Sequence, residues 1–128
     1  MSLFLLPVCN TVKALGMETG KILDDQITAS SSEAEHQASR GRLNFEVSPG
    51  KPSSWSARYK NSHQWLQVDL GIRPRNVSGI ATQGGNDYRG TLARVSRYKL
   101  QYSNDGVNFQ FYIEQGQSTE KVRCASIS

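Results

Sequence analysis

Apolar and polar residues alternate along several short stretches of this chain. In Gln64-Trp65-Leu66-Gln67-Val68-Asp69-Leu70-Gly71, the residues Leu66, Val68 and Leu70 fall on one face and Trp65, Gln67 and Asp69 on the other. A period of two marks a half-buried strand, and Gly71 closes this one with a turn. Residues 26–30 alternate Ile27 and Ala29 with polar neighbours, and 77–82 predict a further short strand. Tyr98, Leu100 and Tyr102 share a face opposite Lys99, Gln101 and Ser103. Asn104-Asp105-Gly106 then predicts a tight turn, because glycine accepts the positive φ that close hairpins need. Val107, Phe109, Phe111 and Ile113 continue as the returning strand.

No segment sustains the i, i+3, i+4, i+7 spacing of a long amphipathic helix. Three polar stretches interrupt the strands: 31–40, with Glu33, Glu35 and His36; 48–54, whose prolines exclude a central strand; and 84–91. Many short strands at close spacing predict an all-β fold, a sandwich or a barrel.

A chain of 128 residues suits one domain with a real core. Hydrophobic residues make up 37% and charged residues 20%, which excludes a disordered chain. The net charge of +4 attracts anionic partners but is too mild to indicate a nucleic-acid binder, and none is expected. Two cysteines, Cys9 and Cys124, are too few for a disulfide-dense scaffold or a metal cage. Residues 1–8 are apolar but short and lack a cationic leader; they read as a signal remnant or as a first apolar strand. No stretch reaches the ~20 apolar residues that span a bilayer.

Catalysis needs a nucleophile, a base and an orienting group, or a metal with an open position. His36 and His63 stand in unrelated contexts, and Asp24-Asp25 reads as a turn leading into the strand at Ile27. Gly84-Gly85 lacks the lysine and the strand-to-helix setting of a phosphate loop. No enzyme activity, cofactor or metal is expected. Asn76-Val77-Ser78 is an N-glycosylation sequon beside the Pro74-Arg75 turn, meaningful if the chain is secreted.

Five motifs stand in a particular order: Leu15-Gly16-Met17-Glu18-Thr19-Gly20, Gln26-Ile27-Thr28-Ala29-Ser30-Ser31, Trp65-Leu66-Gln67-Val68, Ala81-Thr82-Gln83-Gly84 and Tyr98-Lys99-Leu100-Gln101-Tyr102-Ser103-Asn104-Asp105-Gly106. In this order they resemble the discoidin family, the type C domain of coagulation factors V and VIII, over residues 9–112. The resemblance implies a discoidin-like jelly-roll β-barrel or sandwich of the galactose-binding-domain-like class, with ligand loops at one end. It also implies an extracellular binding module. Residues 9–121 are then the domain and 122–128 a divergent tail. Trp55, Trp65, Leu66, Val68 and Leu70 match the family's core signature. Cys9 matches the first half of the family's terminal disulfide. The further strands that normally lead to its partner are not recognisable after Tyr112, so a pair with Cys124 is not expected.

Phosphatidylserine-binding members of the family carry apolar side chains at their loop tips. Here the first loop has Glu33 and Glu35 instead, which disfavours an anionic leaflet. Glu35, His36 and Arg40 of that loop, with Asp87, Tyr88 and Arg89 of the third, suit a cell-surface or matrix glycan or protein. Aromatic faces pack on sugar rings, and carboxylate and guanidinium groups bind hydroxyls or acidic substituents. Two alternatives stand beside this one: peripheral binding to anionic phospholipid, and a truncated structural domain without binding of its own.

Overall fold

The structure, a computed structural model, describes residues 2–4, 14–45, 51–73, 75–77, 79–86, 91–113 and 122–124. The chain forms two compact units, Met1–Ala93 and Arg94–Ser128. Both are built from short antiparallel strands, as the alternation predicts. The first contains β1 (Ser2–Phe4), β2 (Ile27–Ala29), β3 (Leu66–Val68), β4 (Gly79–Ala81), β5 (Gly85–Asn86) and β6 (Leu92–Ala93), paired β1–β4, β2–β3 and β5–β6. The second contains β7 (Arg97–Lys99), β8 (Gln101–Tyr102), β9 (Gln110–Phe111) and β10 (Val122–Cys124), paired β7–β10 and β8–β9. Helical structure among the described residues is limited to single 3-10 turns at Asp24–Gln26 and Ala38–Arg40.

The β2–β3 pair carries the core of the first unit. Its register sets Ile27 against Val68 and Ala29 against Leu66. Met17, Ile22 and Ile27 are buried, and Leu15, Ala38, Leu66, Val68 and Leu70 pack against them. Full burial of a side chain of that size contributes about 1.5–3 kcal/mol. Gln26 fastens the edge: its backbone carbonyl accepts from the Asp69 amide at 2.8 Å, and its side-chain amide donates to the Asp69 carbonyl at 2.8 Å. The buried Arg42 guanidinium donates to the Met17 carbonyl at 2.8 Å and pairs with the Asp24 carboxylate. These partners offset the cost of taking its charge out of water. Asp24 thus belongs to the scaffold, in the turn before β2.

The two tryptophans part company. Trp55 is half-buried and its indole N–H donates to the Ser31 carbonyl at 3.0 Å. Trp65, expected in the core, is 49% exposed. The alternation that turns Leu66 and Val68 inward turns Trp65 outward.

The hairpin of the second unit also differs from expectation. Pairing sets Gln101 against Phe111 and Tyr102 against Gln110, so the return begins at Gln110 and Val107 is left 79% exposed. A side chain organises the intervening loop. The Asp105 carboxylate accepts the backbone N–H groups of Val107 and Asn108 at 2.9 and 2.8 Å, the Asn108 side-chain amide at 2.8 Å and the Ser103 hydroxyl at 2.8 Å. Gly106 takes φ 72°, the left-handed conformation its place predicts. Residues 122–124, expected in a divergent tail, pair as β10 with β7, Cys124 opposite Arg97. Cys9 lies outside the described residues.

Candidate functional site

The first polar loop leaves β2 at Ser30 and is clamped at once to the segment ahead of β3. The hydroxyls of Ser30 and Ser31 both donate to the Gln64 side-chain carbonyl, at 2.9 and 2.6 Å. The Ser30 oxygen also accepts the Trp65 amide at 3.0 Å, and the Ser31 oxygen accepts the Arg58 amide at 3.1 Å. Two serines therefore hold 30–31, 58 and 64–65 together through four hydrogen bonds.

Beyond the clamp, 33–36 forms a β-turn closed by the His36 amide donating to the Glu33 carbonyl at 3.1 Å. Glu35 takes φ 65°, the positive value that a type II turn requires at its third residue. The turn is laced to 54–56. The Glu33 amide donates to the Ser56 carbonyl at 2.9 Å, and the Ser56 amide to the His36 carbonyl at 3.4 Å. Trp55 adds its indole N–H, shared between the Ser31 carbonyl at 3.0 Å and the Ser32 hydroxyl oxygen at 3.2 Å. His36 is 8% exposed, with Nδ1 2.9 Å from the Ser54 carbonyl. A carbonyl only accepts, so Nδ1 carries the hydrogen and donates it.

These contacts shape an open cleft of about 680 Å³ lined by Ser32, Glu33, Ala34, His36, Gln37 and Arg58. Five of the six lining residues carry polar side chains, and backbone hydrogen bonds fix the loop that bears them, as in a binding site that is largely pre-formed. Among the described residues no hydrogen bond links a nucleophile in the cleft to a base. Among the described residues no group of three or more histidine, cysteine, aspartate or glutamate side chains could hold a metal ion.

Of the residues singled out in the sequence, His36 lines this cleft. Glu35 does not: it sits exposed at the turn, and Glu33, two residues earlier, lines the cleft instead. Arg40 is committed to the scaffold. Its Nε donates to Gln37 Oε1 at 3.0 Å, its Nη1 to the Pro52 carbonyl at 2.9 Å, and its guanidinium lies 5.7 Å from the centre of the Phe45 ring. Asp87, Tyr88 and Arg89 lie outside the described residues. Asn76 is exposed between β3 and β4.

Gln37 falls within the polar loop that the sequence singles out, whereas Arg58 is a lining residue that sequence reasoning passes over. Arg58 is brought in from a distant stretch by a hydrogen bond from its own backbone. The usable signal is indirect: Ser30-Ser31 ahead of a polar loop, and Gln64 ahead of a strand, are the two halves of a clamp that must enclose something between them.

The model of the F5/8 type C domain family matches residues 26–126. The chain is 40% identical over 115 residues to a human EGF-like repeat and discoidin I-like domain-containing protein 3, covering 84% of this chain and 23% of that protein. It is 40% identical over 111 residues to lactadherin of Rattus norvegicus, covering 81% of this chain and 25% of that protein. With coagulation factor V of Sus scrofa it shares 36% identity over 119 residues, 89% of this chain and 5% of that protein. The chain thus spans about a quarter or less of the length of these relatives. The match extends through β2, β3, the clamped loop and the hairpin, and its all-β architecture agrees with a jelly roll. The chain belongs to the F5/8 type C, or discoidin, domain family.

Proposed function

We propose that this domain is an extracellular recognition module that binds a glycan or a protein of the cell surface or matrix, without catalysis, through the loops around the 32–37 and 58 cleft. The observation that supports this reading best is the cleft itself. Residues bearing a carboxylate, a guanidinium, an imidazole, an amide and a hydroxyl line it, on a loop held by backbone hydrogen bonds. Family membership supports a binding role, and the relatives include lactadherin and coagulation factor V. Among the described residues no helix is long and apolar enough to cross a membrane. Asp87, Tyr88 and Arg89 are proposed as further ligand contacts on the strength of their residue types alone.

Anionic phospholipid is the second reading, and it follows from the family. The first loop argues against it: Glu33 and Glu35 are both exposed at the turn, and Ala34 between them is the sole apolar residue there. Carboxylates near an anionic leaflet are repelled, and one methyl group gives no anchorage. A glycan array run beside phosphatidylserine vesicles tests the choice. Saturable signals on the array with little vesicle binding at physiological salt are expected. Tight, salt-resistant vesicle binding would overturn the reading.

A further inference from the structure

We propose that the cleft lined by Ser32, Glu33, His36, Gln37 and Arg58 selects a saccharide that carries a carboxylate, its hydroxyls held by Glu33, His36, Gln37 and Ser32 and its acid group by Arg58. The inference rests on the binding reading above and names the ligand class for the same site.

The argument is an inventory of unused hydrogen-bonding capacity. His36 is nearly buried, and with Nδ1–H donating to the Ser54 carbonyl, Nε2 is left with no partner among the described residues. Gln37 Oε1 accepts from Arg40 Nε, which fixes the amide orientation and leaves its NH2 group to donate. The Ser32 oxygen accepts the Trp55 indole N–H, so its own hydrogen remains available. Glu33 and Arg58 both line the cleft and neither forms an ion pair with a described residue; the Arg58 guanidinium lies 5.9 Å from the centre of the Tyr59 ring, a face contact that leaves its N–H edge able to donate.

The cleft therefore offers an acceptor, in Glu33, and the unpartnered Nε2 of His36 beside donors, in Ser32, Gln37 and Arg58. A bare anion could use only the donors and would be repelled by the Glu33 carboxylate. Sugar hydroxyls both donate and accept, so neighbouring hydroxyls satisfy both kinds at once. Arg58 goes beyond what hydroxyls require: a planar guanidinium matches a carboxylate through two parallel hydrogen bonds. Its positive charge and the net +4 of the chain favour an acid over a neutral sugar. A serine headgroup also combines a carboxylate with a donor, but a lipid must be anchored as well, and the turn at 33–35 offers no apolar side chain larger than Ala34.

The test is an NMR titration of the folded chain, labelled with 15N, using four probes: glucuronate, glucose, acetate and phosphatidylserine vesicles. Glucuronate should shift the Arg58 side-chain and His36 ring signals saturably, with an affinity at least ~10-fold above those of glucose and acetate, and Arg58→Gln should remove that advantage. Unchanged backbone signals from β2 and β3 would show that this variant keeps its fold. Glucose binding as tightly as glucuronate would overturn the acid preference while leaving a saccharide site standing. Acetate binding equally well would reduce the cleft to an anion site and overturn the proposal. Silence from all three small probes, with vesicle binding abolished by Arg58→Gln, would overturn both the proposal and the glycan reading in favour of a lipid headgroup.

Discussion

Glu35 holds a backbone conformation that costs an L-residue roughly 1–2 kcal/mol, and it does so at the turn that shapes the cleft. Its side chain is exposed and outside the lining, so nothing in the site repays the strain. Glu35→Gly should raise stability by about 0.5–1 kcal/mol, after the entropy of the freed backbone is subtracted, and leave ligand affinity unchanged. A denaturation midpoint checks it; a fall would show that the carboxylate has a partner the turn needs. Asp105 is the opposite case, an acid whose strain-free role is to organise a loop. Hydrogen bonds from the Asn108 and Val107 backbones, then from the Asn108 and Ser103 side chains, hold its pKa well below the usual carboxylate range. A depressed folded pKa means that the ionised form stabilises the fold. That contribution is present in full above the unfolded value near 3.8 and is lost only as pH falls through the lower folded value. The Asp105 carboxyl should therefore stay ionised at pH 3 in a 13C titration; half-protonation near 3.8 would mean that the loop bonds do not form. At this scale the sequence made His36 visible as a histidine in a polar loop. It hid Arg58, because a residue carried into a site by its backbone amide leaves no mark on the local pattern.

At the scale of elements, β2 and β3 were legible because one face of each is buried and the other is not. Ile27, Leu66, Val68 and Leu70 alternate with polar neighbours, and a slip of one residue would turn the whole apolar set to solvent. Ile27→Ala, at a fully packed position, should cost about 2–5 kcal/mol in a denaturant titration, and Leu66→Ala less, since Leu66 is only half-buried. The same alternation places Trp65 outward, and its size misled the expectation of a core role. The hairpin was legible as a hairpin but not in its length, because the Asp105 side chain replaces the two-residue turn that Asn104-Asp105-Gly106 suggests. Gly85 links β5 to the cleft. A Cβ added there would overlap the Ser54 side chain, while the Ser53 amide donates to the Asn86 carbonyl at 3.2 Å and the Asn86 amide to the Ser53 hydroxyl at 3.2 Å. Gly85→Ala must push 53–54 away, and with it the Ser54 carbonyl that holds His36. A loss of about 1–3 kcal/mol and a displaced His36 ring signal are expected. An unshifted ring signal would show that the imidazole is held from elsewhere.

For the whole molecule, family and fold class could be read from five ordered motifs, because strands and turns impose their periods on contiguous residues. The ligand could not, because it depends on which loop groups remain without partners, and only the folded chain settles that for Arg40, Gln37 and Arg58. Charge acts at this scale too. Any attraction of the +4 chain to phosphatidylserine vesicles should fade as salt rises, since exposed charges are screened beyond about 8 Å at physiological ionic strength. The central claim is that recognition is seated in the clamped cleft. Its most direct test is a glycan array read in parallel for the unaltered domain, for Gln37→Ala with Arg58→Ala, and for a control pair, Arg73→Ala with Arg75→Ala, in the exposed turn after β3. The cleft pair should weaken the array signals at least ~10-fold, about 1.4 kcal/mol, and the control pair should leave them intact. Signals that survive the cleft pair and fall with the control would place binding on a diffuse basic surface and contradict the claim.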